Sequence, residues 1–324
     1  MKRPERHRGW KLAAVAAALI AVMAPARADE PAGESEATAP ALPQVIVEAP
    51  EPRYVAPTRW DRIGRIWAPV LINDRGPFRL VLDTGASRSA INASVAAALG
   101  IDLSNAATVM LLGVTGELEV SAVTVESFVV GDLELRPARL PIIADAFGGA
   151  EGVLGTDGLL DKRIFIDFRH DSITISRSHG ERHPRGFVTL PVQIVGGLII
   201  ISDARFGSLP VQAIVDTGGQ SSIANAALGE ALRRRIHQPD RGASEITGVT
   251  LDVQRGDLVS TPPLMLGDLR VGMTQITVAD IYIFQRWKMI SRPTVMIGMD
   301  ILGLLDALII DYPHQELQVK LKVP

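Results

Sequence analysis

The chain has 324 residues, 47% of them hydrophobic, with a formal net charge of −3 and no cysteine. That length and apolar content are enough for about two domains with substantial cores. Without cysteine there can be no disulfide and no lipid-bearing N-terminal Cys, and an acidic chain with no clustered basic face argues against a nucleic-acid partner.

Residues 1–28, MKRPERHRGWKLAAVAAALIAVMAPARA, combine a basic start, an apolar run of about 13 residues from Leu12 to Ala24, and Ala26-Arg27-Ala28. These features predict a signal peptide cleaved before Asp29, and hence a periplasmic or secreted protein. The run is shorter than the ~20 residues a bilayer-spanning helix needs, so an uncleaved anchor is the lesser reading and no stable membrane insertion is expected. Loss of the leader leaves 27 basic and 35 acidic residues, a net charge near −8. The one basic run, Arg233-Arg234-Arg235, follows ANAALGEAL and is expected to close a helix, where cations complement the helix dipole.

Residues 29–57 are rich in Pro, Ala and Glu and nearly free of aromatics, the composition of a flexible spacer. Residues 58–178 and 186–324 are two long stretches rich in Val, Ile and Leu, joined by the hydrophilic segment SRSHGERHPRG, and are expected to be two lobes. His179 and His183 in that segment have a spacing that raises a metal site. Gly180 and Pro184 oppose the helix that would put both on one face, so a solvated loop is expected, with no metal and no cofactor.

Within each lobe the predicted strands are short, β-branched and divided by Gly, Asp and Asn turns. In the first they fall at 68–72, 78–82, 108–112, 117–130, 138–143, 163–168 and 172–176, with one helix near 92–100. In the second they fall at about 188–202, 211–215, 244–260, 269–284, 294–297 and 307–311. The C-terminal QELQVKLKV alternates polar residues with Leu317, Val319, Leu321 and Val323, as a half-buried strand pairing at a lobe interface would.

The two lobes follow one plan. RLVLDTGASRSAI at 79–91 is answered by QAIVDTGGQSSIA, which sets Asp83 over Asp216 and Asn92 over Asn225. LLGVTGELEV at 111–120 is answered by ITGVTLDVQ at 246–254, and VGDLEL at 130–135 by LGDLRV at 266–271. GVLGTDGLLDKRIFIDF is answered by TVMIGMDILGLLDALIIDY, each reading apolar-Gly-x-Asp, a short helical piece, then an apolar strand carrying Asp167 or Asp311. Asp157, Asp300, Asp167 and Asp311 are expected to be turn or cap residues. Trp60, Trp67 and Trp287 are expected to pack the lobes, with Trp287 also placed where it could line a cleft.

A strand ending in Asp-Thr-Gly, a Gly-containing hairpin some 30 residues on and apolar-Gly-x-Asp some 70 to 80 residues on resemble the lobes of aspartic proteases of the retropepsin and pepsin type. The resemblance covers nearly all of residues 60–319. It implies an all-β protein of two homologous β-barrel lobes with a short helix in each, and an aspartic endopeptidase acting on an extended polypeptide. It further implies that Asp83 and Asp216 are the catalytic pair, supported by Thr84, Gly85, Thr217 and Gly218. Gly113, Val114, Thr115, Gly116, Gly248 and Val249 would form flaps over the substrate. One departure is that neither hairpin carries the Tyr of pepsin-type flaps.

The chemistry accounts for the duplication, since two carboxylates held ~3 Å apart cannot both ionise and so supply a base and an acid together; aspartic proteases are a standard illustration of this effect. Two alternatives stay open: a catalytically silent protein that grips an extended peptide, and a pair of chains in which each lobe matches its twin. The repeat favours pairing within one chain, hence a monomer.

Overall fold

A computed structural model describes residues 65–145, 148–170, 172–181, 184–235 and 242–322, together with the backbone of the strand Val45–Glu48. The expected leader, most of the spacer, Trp60 and His183 lie outside these residues. The fold is mostly β, in two sheets.

In the first lobe, Trp67–Ile72 and Arg75–Leu82 form a hairpin whose turn residues, Asn73 and Asp74, have φ of 51° and 56°. Left-handed conformations at both central positions match the right-handed twist of the strands, and Asn and Asp tolerate them best. Arg75–Leu82 is exposed at its start and buried at its end, because Leu80, Val81 and Leu82 are flanked by Trp67–Ile72 on one side and the parallel strand Gly152–Leu154 on the other. That continuous apolar run delivers Asp83 at the strand's C-terminal end.

The second lobe builds the same feature from Leu198–Phe206, Leu209–Val215 and the parallel strand Thr294–Ile297, which delivers Asp216. The helices after the two loops begin alike. Asn92 accepts from the Val95 N–H and Asn225 from the Leu228 N–H, each satisfying an amide that has no partner within its helix.

The lobes are joined by strands from both. Lys162–Asp167 and Ser172–Arg177, expected within the first lobe's own barrel, leave its sheet as a hairpin whose first strand pairs with Leu305–Asp311. Glu316–Leu321 and Val188–Val195 continue that sheet, which places the C-terminal alternating strand at the junction of the lobes. A buried Arg163 crosses this sheet to Asp311, Nη1 to Oδ2 at 2.9 Å. One apolar core accordingly runs from Leu80 and Ile91 through Ile164 and Ile310 to Val215 and Ile297.

The predicted strand at 269–284 needs correction. It consists of Leu269–Val271 and Gln275–Val278, followed by a one-turn helix Tyr282–Arg286. The second lobe thus has three short helices among the described residues, the third being Met299–Leu302.

Candidate active site

The two Asp-Thr-Gly loops meet at the junction of the lobes, each locked to the other. The Thr84 hydroxyl donates to the Val215 carbonyl at 2.7 Å and accepts from the Thr217 N–H at 3.1 Å. The Thr217 hydroxyl donates to the Leu82 carbonyl at 2.7 Å and accepts from the Thr84 N–H at 3.1 Å. All four bonds are buried, and they join two segments more than 130 residues apart in sequence.

This frame sets the carboxyls side by side, both within 3.2 Å of where a Cβ on Gly85 would stand. Asp83 Oδ1 accepts from the N–H groups of Gly85 and Ala86 at 2.8 and 3.0 Å, and Asp216 Oδ1 from those of Gly218 and Gly219 at 3.1 and 3.0 Å. Glycine is required here by space. A Cβ on Gly218 would lie 2.2 Å from the Asp83 carboxyl carbon, and one on Gly85 would lie 3.0 Å from Asp216 Oδ1.

Burial raises both carboxyls above the usual carboxylate range. The Asp216 carboxyl is pushed up to about 8, first by burial and then by the charge of Asp83. For Asp83 the two backbone N–H donors pull the other way. Asp216 is buried, whereas Asp83 is half-buried and open to the cleft. Two carboxyls this close disfavour ionising together, so the site can offer a carboxylate and a carboxylic acid on adjacent groups.

The apolar-Gly-x-Asp segments pack beneath these loops. Gly155 lies against the Arg88 backbone and Gly298 against the Ser221 backbone, too close for a side chain in either case. Asp157 accepts from the Ser89 N–H and hydroxyl, both at 2.8 Å, and Asp300 from the Ser222 N–H and hydroxyl at 2.9 and 2.7 Å. Ser89 and Ser222 each accept a third bond, their hydroxyl oxygens receiving the Gly155 N–H and the Gly298 N–H. These two serines escape the sequence reading although they occupy matching positions, six residues after each Asp.

Both hairpins reach over the cleft. Gly113 and Gly116 close one tip through an N–H to carbonyl bond of 2.8 Å, and Leu251 and Gly248 close the other at 3.0 Å. Gly113, Val114, Gly248 and Val249 line the cleft, while Thr115 and Gly116 face the opposite flap. The hydroxyls of Thr115 and Thr250 meet at 3.3 Å. Thr250 was signalled by Gly-Val-Thr occurring in both hairpins. Outside the cleft, Tyr282 of the second lobe's one-turn helix donates its hydroxyl to Glu117 at 2.5 Å. Beside it the Ile283 N–H donates to the Val114 carbonyl at 3.2 Å.

The cleft walls are apolar: Ala90, Leu111, Ile143 and Val153 on one side, with Leu198, Ile246, Trp287 and Met296 among those on the other. Trp287 both packs the second lobe's satellite core and lines the cleft. Trp67 packs against Val81 and Ala150, with the Arg79 guanidinium 5.0 Å from its ring centre. Among the described residues no group of three or more His, Cys, Asp or Glu side chains could hold a metal ion, and no helix is long and apolar enough to cross a membrane.

A family model described as aspartyl protease matches residues 68–158. That stretch, which contains the first Asp-Thr-Gly loop and the first flap, is a retropepsin-like domain of the aspartyl protease family. The family points to aspartic-type peptidase activity and to a peptide substrate. A search among curated proteins finds no match.

Proposed function

We propose that the protein is an exported, single-chain aspartic endopeptidase in which Asp83 and Asp216 act as one dyad. The observation that supports this most is the pair of loops cross-bonded through Thr84 and Thr217, with the two carboxyls side by side between them.

In this reading an extended peptide lies between the flaps and the dyad, with its scissile carbonyl over the carboxyls. The ionised carboxylate takes a proton from water as the water oxygen bonds to the carbonyl carbon, and the protonated carboxyl gives its proton to the carbonyl oxygen. A tetrahedral gem-diol results. Its collapse breaks the C–N bond as the protonated carboxyl gives its proton to the amine nitrogen and the ionised carboxyl takes one from a gem-diol hydroxyl, which returns the pair to one shared proton. The apolar walls shed water around the reacting atoms and favour apolar substrate side chains next to the cut bond.

Residues 29–57 are proposed to be a spacer released from the leader at Asp29, with the lobes at 58–178 and 186–324 working in the periplasm or outside the cell as a monomer. The test is digestion of an unstructured protein by residues 29–324, with new peptide ends read by mass spectrometry. Wild type should cut internally, and Asp83→Asn and Asp216→Asn should each abolish cutting, because removing either carboxyl removes half of an acid–base pair. Tight peptide binding with no cutting would instead identify a silent peptide-binding protein.

A further inference from the structure

The two loops are nearly twofold related, yet the groups behind them differ. Trp67 lies opposite Val81 in the first lobe, and Ile200 opposite Ile214 in the second. Two residues before these stand Arg65 and Leu198, at matching positions in the two lobes, both lining the cleft. One is a permanent cation and the other is an aliphatic side chain.

Arg65 is also anchored across the lobe boundary. Its Nε donates to the Gly218 carbonyl at 3.1 Å. Gly218 is the residue whose α-carbon abuts the Asp83 carboxyl, so the guanidinium is fixed on the very turn that touches Asp83. Leu198, at the matching position of the second lobe, has no charge to offer Asp216. The backbone N–H bonds do not distinguish the carboxyls, as each receives two of similar length.

Building on the dyad reading above, we propose that Arg65 is a positioning residue that breaks the symmetry of the pair, holding the negative charge on Asp83 and the proton on Asp216. Asp83 then becomes the base toward water and Asp216 the acid toward the carbonyl oxygen. The electrostatics agree in direction, because Arg65 lowers the Asp83 carboxyl. The other ionisable groups facing Asp83 are Asp216 itself and the buried Tyr312, whose phenol burial and the Asp83 charge keep protonated. Arg88 and Glu245 line the same cleft. The deeper burial of Asp216 acts in the same sense as Arg65, so the experiment must change the cation and leave the burial alone.

Three variants do this. Arg65→Gln keeps a donor near the Gly218 carbonyl without the charge, Arg65→Lys keeps the charge, and Arg65→Leu copies position 198. The readouts are carbon-13 titration of the Asp carboxyls, assigned with Asp83→Asn and Asp216→Asn, and the acid limb of kcat/KM on a fluorogenic peptide. Arg65→Gln and Arg65→Leu should raise the lower apparent pKa of the pair by about 1 unit, the lower end of the effect of a nearby opposite charge, and carry the acid limb with it. Arg65→Lys should hold both near wild type. A folded neutral variant that leaves the titration and limb unmoved overturns the proposal, and so does Arg65→Lys behaving like Arg65→Gln, which would make the bond to Gly218 the whole effect. The titration needs no turnover, so an inactive wild type would sink the peptidase reading while the Arg65 assignment is still decided.

Discussion

Replacing Thr84 by valine keeps the shape of the side chain and removes one hydroxyl. In the structure that hydroxyl donates to the Val215 carbonyl and accepts from the Thr217 N–H, and the residue is only 1% exposed. Water cannot take over either bond. Two buried backbone groups lose their partners, at ~1–3 kcal/mol each, and the added methyl recovers a part, for a net cost of about 3 kcal/mol. For a chain of this size that lowers Tm by roughly 6–12 °C. Thr217→Val should cost nearly the same, because it orphans the Leu82 carbonyl and the Thr84 N–H in the mirror arrangement. The assay is urea unfolding followed by tryptophan fluorescence, with Trp67 in the first lobe and Trp287 in the second showing whether the lobes unfold together. A cost below ~1 kcal/mol for either variant, with peptide hydrolysis intact, would refute the view that this four-bond frame holds the site.

Other consequences follow from the same geometry. Gly218→Ala places a methyl 2.2 Å from the Asp83 carboxyl carbon and should reduce kcat by ~100-fold or more, whereas Gly272→Ala, with open space around it, should leave turnover unchanged; steady-state kinetics on one peptide checks both. Burial and the Asp83 charge push the Asp216 carboxyl up to about 8, far above the ordinary carboxylate range near 4, so its contribution to stability is full below about pH 4 and is lost as pH rises through about 8. Asp216→Asn, neutral throughout, should therefore gain on wild type by more than ~1 kcal/mol across that window; a thermal-melt difference that shrinks toward pH 8 would contradict the burial argument. Tyr282→Phe removes the bond to Glu117 that ties the first flap to the second lobe, and should raise KM by about 3- to 10-fold with little change in Tm. Equal KM values would show that the flap does not depend on this contact.

Much of this arrangement was legible in the sequence. Apolar strands ending in Asp-Thr-Gly, Asn92 over Asn225, and Gly155-x-Asp157 over Gly298-x-Asp300 are local patterns, and each repeated pattern has a local physical cause: strand burial, helix capping and close backbone approach. The pairing of 162–177 with the C-terminal strands was not legible, because an amphipathic hairpin does not encode which sheet it joins. The helix at 282–286 was hidden for another reason. IYIFQ is β-branched and aromatic, one turn is too short to show a helical period, and its place is fixed by tertiary bonds such as that from Ile283 to Val114. Ser89, Ser222 and Arg65 are ordinary residues in sequence that acquire roles only through partners at least 66 positions away.

The central claim, that two halves of one chain make a single site, is tested most directly by mixing. Purified Asp83→Asn and Asp216→Asn, each confirmed folded, are assayed separately and then together at equal concentration on a fluorogenic peptide with apolar residues around the cut bond. The dyad reading predicts no hydrolysis from either variant and none from the mixture, because every chain carries one dead half of its own site. Near wild-type turnover by one variant alone would contradict the paired mechanism. Recovery of about a quarter or more of wild-type activity on mixing would show that the working pair forms between the first lobe of one chain and the second lobe of another.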